Sequence, residues 1–74
     1  MLWYDGERSL AVPDRIQRAA NYYQAKYGAQ PTLCLVNARL GTGEVPRRIG
    51  GMEVRASRAV LEHHFWIGVR EGEP

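Results

Sequence analysis

Only one stretch of this chain has the periodicity of a helix, and that limits how much of any sheet the chain can cover. From Val12 to Tyr27 the residues Val12, Ile16, Ala19, Ala20, Tyr23 and Tyr27 fall on one stripe at about 100° per residue. Val12-Pro13-Asp14 opens the segment, because proline suits a first helical turn and an early aspartate complements the helix dipole. Gly28 is placed to be the C-cap. Arg15, Arg18, Tyr22 and Lys26 line the flank beside the stripe, and Gln17, Asn21 and Gln24 complete the polar side.

The other apolar residues follow strand patterns. Met1 to Tyr4 reads as a short edge strand stopped by the turn signal Asp5-Gly6. Thr32 to Val36 is a continuous apolar run of strand formers, expected as a central strand covered on both faces. Met52, Val54 and Ala56 alternate with Glu53 and Arg55, the pattern of a half-exposed strand. His63 to Val69 reads as a last strand, with Phe65, Ile67 and Val69 on one face and His64, Trp66 and Arg70 on the other. Between these, 38–51 holds four glycines, a proline and three arginines without periodicity, and is expected as a long mobile loop; Ser57 to Glu62 is a turn and 71–74 a tail.

The expected fold is α+β: a single small domain over 1–74 in the order β-α-β-β-β. One helix packs on one face of a three- to four-stranded mixed or antiparallel sheet. Its stripe would meet Phe65, Ile67, Val69, Met52, Val54 and one side of the Leu33–Val36 strand. The opposite face then carries Trp66, His64, Arg55 and Glu53, with Arg70 and Trp3 as further candidates. A lone helix cannot cover both faces, so this tryptophan-bearing face is expected to meet either a second subunit or a ligand.

Size points the same way. A chain of 74 residues buries only about 60% of its unfolded surface, so its core is a thin source of stability. Seven aromatic residues in a chain that is 45% hydrophobic need somewhere to be buried. A homo-oligomer, a dimer in the simplest case, is the expectation that follows.

The net charge of +2 is unevenly spread. From Arg15 to Arg58 there are eight basic residues against two acidic ones, a local +6, while the flanks hold two basic against six acidic, a local −4. Nine of the ten basic residues are arginine, which suits bidentate contacts to phosphate or carboxylate. A nucleic-acid partner held by Arg15, Arg18, Tyr22, Lys26, Arg47 and Arg48 is therefore a second reading of the chain. The plainer account of the same charges is a solvated surface.

Enzymatic chemistry has no positive support. Cys34 lies inside the most apolar strand, where a thiol is an inert filler, and this argues against a Cys/His pair with His63 or His64. Adjacent strand histidines point to opposite faces, so a metal site of His63, His64, Cys34 and Glu62 is not expected. Gly41-Thr42-Gly43-Glu44 lacks the lysine and the following helix of a phosphate loop and reads as a turn. No cofactor is implied. The longest apolar runs are far short of the roughly 20 residues of a membrane helix, and no signal peptide pattern opens the chain. One cysteine excludes an internal disulfide, which favours the cytoplasm. The sequence thus reads first as a small non-catalytic interaction module that self-associates through its aromatic sheet face, and second as a nucleic-acid-binding domain.

Overall fold

The computed structural model describes residues 1–6, 9–40 and 45–70. It contains one helix, α1 (Val12–Tyr27), and five strands: β1 (Leu2–Tyr4), β2 (Leu33–Asn37), β3 (Arg48–Ile49), β4 (Met52–Ser57) and β5 (His64–Gly68). The class is α+β, with one more strand than the sequence pattern gave. The extra one is β3, only two residues long and set inside the connection expected to be loop. It forms because Gly50, in the left-handed region at φ 59°, turns the chain back so that Arg48 pairs with Glu53 and Ile49 with Met52. A 3₁₀ turn at Ala38–Leu40 orders the start of the same connection. The expected Gly41–Glu44 turn and 71–74 tail lie outside the described residues.

The sheet is mixed, in the order β1-β5-β2-β4-β3. β2 and β4 are parallel, whereas β1–β5, β5–β2 and β3–β4 are antiparallel. β1, α1 and β2 therefore form a split βαβ unit, with β5 inserted between two strands that run the same way. The helix ends as its sequence implies: Gly28 takes φ 71° and donates its N–H to the Gln24 carbonyl.

Along α1, Val12, Ile16, Ala19 and Ala20 are buried against Cys34, Val36, Met52, Val54, Phe65 and Ile67. These are alternate residues of β2, β4 and β5, so the helix packs on a single sheet face, as the alternation required. Tyr27, Val69 and two residues of β2 depart from expectation. Tyr27, at the end of the stripe, is exposed, its ring 4.7 Å from that of Tyr23. Val69 follows the last strand residue and is exposed. β2 is central but is not covered on both faces: Cys34 and Val36 are buried, while Leu33 and Leu35 are only half-buried. A continuous apolar run reads the same whether both faces are covered by this chain or only one.

Candidate functional site

The open face of the sheet can be built row by row from the strand register. Residues directly opposite in neighbouring strands project to the same face and lie within side-chain reach of each other. Leu2 pairs with Trp66, Trp66 with Leu35, and Leu35 with Arg55, which makes one row across β1, β5, β2 and β4. The next row runs Gly68, Leu33, Glu53 and Arg48 across β5, β2, β4 and β3. On the other side of Trp66, Tyr4 pairs with His64. Each row passes from apolar or aromatic groups on β1, β5 and β2 to charged groups on β4 and β3.

The apolar side forms a trough of about 500 Å³ lined by Leu2, Leu33, Leu35, Ala59, Val60, Trp66 and Val69. Trp66 is half-buried and its indole is laid along its own strand over Gly68, where any side chain would strike the ring. Val60 closes one margin of the trough. The segment from β4 to β5 crosses the end of β2 there, and the Asn37 side-chain amide donates to the Val60 carbonyl at 2.7 Å. His64 stands at the rim, edge-on to Tyr4 at 5.2 Å, with its Nδ1 2.8 Å from the Glu62 carbonyl oxygen.

The charged side is a network. Arg55 donates through Nε to one oxygen of Glu53, and Arg70 donates through Nη1 to the other at 2.7 Å. The Arg55 guanidinium first, and Arg70 after it, hold the Glu53 carboxyl below the usual carboxylate range, so it stays ionised. Arg70 is brought over the sheet by its backbone N–H, which donates to Thr32 Oγ1 at 2.9 Å.

Of the residues proposed for this face, Trp66, His64 and Arg55 lie on it, with His64 at the rim beside Tyr4, and Arg70 meets Arg55 at Glu53. Trp3 is a correction. It pairs with Phe65 in the antiparallel β1–β5 ladder, so it projects to the helix-covered side, packs against the core and lies tilted against Tyr22 with ring centres 5.1 Å apart. Leu2 and Tyr4, its neighbours in β1, occupy the open face instead. Sequence reasoning missed Leu2, Leu33, Leu35, Val60 and Val69. The signal was present in the odd-numbered leucines of β2, which share parity with Asn37 rather than with the buried Cys34 and Val36.

The basic candidates are dispersed. Arg15 is mostly buried, its Nη1 3.2 Å from Oδ2 of the buried Asp5 in an ion pair, which takes it out of the exposed basic flank. Arg18, Tyr22 and Lys26 are exposed on the helix, and Tyr22 lies over β1 at one edge of the sheet. Lys26 lies over its own neighbour Tyr27, 5.4 Å from the ring centre. Arg47 and Arg48 are exposed at β3, the opposite edge.

Cys34 is on the core side of the sheet and His64 on the open side, so the strand layer separates them. Burial pushes the Cys34 thiol up to about 12. Among the described residues no group of three His, Cys, Asp or Glu side chains is placed to hold a metal ion, and no helix is long and apolar enough to cross a membrane. In comparison with known proteins, the chain matches no family model, no curated protein and no solved structure.

Proposed function

We propose that this protein is a non-catalytic interaction module that self-associates as a dimer through the open face of its sheet. The observation that carries this reading is the apolar trough across β1, β5 and β2, floored by Leu33, Leu35 and Trp66, on the face that α1 leaves uncovered. Its anatomy is that of an interface: an aromatic and aliphatic centre beside a polar margin of Glu53, Arg55 and Arg70. A two-fold axis would place the trough of one copy on that of the other, which is the self-complementary arrangement of a symmetric dimer. One buried free cysteine asks for no oxidising compartment, in keeping with a cytoplasmic location.

Light scattering at micromolar concentration tests the reading, with a dimer as the expected result. Trp66→Arg is expected to give a monomer or an unfolded chain. Leu2→Arg and Val69→Arg alter side chains already exposed in the single chain, so they should leave the circular dichroism spectrum unchanged while shifting the mass to that of a monomer. A wild-type monomer across the micromolar range would defeat the proposal.

The nucleic-acid reading through Arg15, Arg18, Tyr22, Lys26, Arg47 and Arg48 has less support. Arg15 is engaged with Asp5, and the helix flank and β3 are at opposite edges of the sheet. Binding to single- or double-stranded oligonucleotides that falls steeply between about 50 and 200 mM salt would favour it.

A further inference from the structure

We propose that the β3–β4 margin of the open face is an oxoanion site for a phosphate group, built by Arg48, Arg55 and Arg70 around Glu53, with Arg47 at its edge. These residues lie beside the apolar trough, at the margin of the proposed interface and not in its centre, so the site can be tested on the protein whether or not it self-associates. Four arginines from three separate parts of the chain come near Glu53 here: the sequence pattern put Arg55 and Arg70 on one face and Arg47 and Arg48 in the loop, and the β3–β4 pairing joins the two sets. Arg55 and Arg70 donate to the two oxygens of Glu53. Arg48 is directly across the β3–β4 ladder from the same glutamate. Arg47, Arg48, Glu53 and Arg55 line a shallow depression of about 520 Å³.

One carboxylate cannot balance this cluster. Even with Arg70 set aside, the three guanidinium charges of Arg47, Arg48 and Arg55 stand against the single carboxylate of Glu53 in the lining of the depression. Among the described residues Arg47 and Arg48 have no ion-pair partner, and Arg55, which uses Nε for Glu53, has no further acceptor for its two terminal amino groups. Glu53 therefore serves as an anchor more than as a neutraliser. By holding Arg55 and Arg70 it reduces the side-chain entropy that an anion would otherwise have to overcome on binding. A phosphate matches the cluster better than a single carboxylate does, because it offers up to two negative charges and at least two free oxygens to several guanidinium forks. The group could arrive as the free ion or as an ester along a nucleic-acid strand, and the chemistry at the arginines is the same.

The test is a titration of the intact protein at low ionic strength, following the arginine Nε–Hε signals by ¹⁵N–¹H spectroscopy. One arm uses inorganic phosphate, the other a short oligothymidylate, each against chloride at equal ionic strength. Saturable shifts of Arg48 and Arg55, with Arg18 and Arg58 unmoved, are expected. Shifts with phosphate identify a site for the free ion; shifts with the oligonucleotide alone identify a phosphodiester source. Arg48→Gln, at an exposed edge position that carries no core contact, should weaken binding about tenfold through loss of one charge-assisted contact. No shift in either arm would overturn the proposal. So would equal shifts at Arg18 and Arg58, or unchanged affinity in Arg48→Gln.

Discussion

Replacing Gly68 with alanine is expected to destabilise this protein, against the usual sign for glycine in a strand. Glycine inside a strand loses more backbone entropy on folding than alanine, so the substitution would ordinarily stabilise by about 0.5–1 kcal/mol. Here the added methyl would stand 2.9 Å from Cζ2 and Cζ3 of Trp66 and would collide with Cη2 as well. Ordinary carbon–carbon contact begins near 3.5 Å, so the indole must leave its position over the strand. Overpacking of this kind costs about 1–3 kcal/mol, which outweighs the entropic gain. Removing the ring should reverse the sign. In a Trp66→Ala background, Gly68→Ala is expected to be neutral or stabilising, and a double-mutant cycle should report a coupling of about 2 kcal/mol. Urea denaturation followed by far-ultraviolet circular dichroism, at a fixed protein concentration, measures all four variants on one scale. A stabilised Gly68→Ala single variant, or a coupling near zero, would refute the placement of Trp66 over Gly68 and with it the shape of the trough.

Further expectations follow from the same geometry. Asp5→Ala leaves Arg15 mostly buried without its counter-charge and should cost about 3 kcal/mol, whereas adding Arg15→Met should recover most of the loss in the same urea assay. Ile16→Ala empties a fully buried position between α1 and the sheet and should cost about 3–4 kcal/mol. The Cys34 thiol should resist thiol reagents at pH 8 until the protein is unfolded. Its raised pKa also sets a pH dependence. The unfolded chain releases this proton near the ordinary value of 9 and the folded one only at about 12, so the contribution is full below pH 9 and lost as pH climbs to 12. Cys34→Ser should flatten that part of a stability–pH curve.

The parts of the fold that were legible in the sequence are those set by local chemistry. Pro13 and Gly28 mark the helix because each fixes or permits a particular backbone angle, and α1 ends where they imply. Alternation picked out Met52, Val54, Phe65 and Ile67 as the side chains that meet the helix, though Ala56, of the same parity, is exposed; Trp66 and His64 fell on the open side. What was hidden depends on partners distant in the chain. The face of Trp3 is decided by its register with β5, more than sixty residues away, and parity within three residues of β1 cannot supply that. β3 is too short for a period and exists only because Gly50 folds it onto β4. The Asp5–Arg15 pair joins a turn to a helix flank, and either residue alone looks like ordinary surface charge. The arginine network around Glu53 needs β2, β3, β4 and the residue after β5 to be assembled before it exists at all.

That assembly has a kinetic side. β5 follows the other four strands in the sequence, yet it lies between β1 and β2 and carries Phe65 and Ile67, two of the least exposed residues of the core. Until residues 64–68 have left the ribosome, β1 has no strand to pair with, and the apolar stripe of α1 has no floor beneath it at that side. A nascent chain stopped at residue 63 keeps at most the pairing of β2 with β4 and β4 with β3. Because its central contacts join distant positions, the chain has the non-local topology that slows folding relative to helical domains of similar size. Acquisition of structure thus waits for one segment, and the interval before β5 arrives is the time when Leu2, Leu33 and Leu35, which β5 will join in the trough, are most open to misplaced contacts.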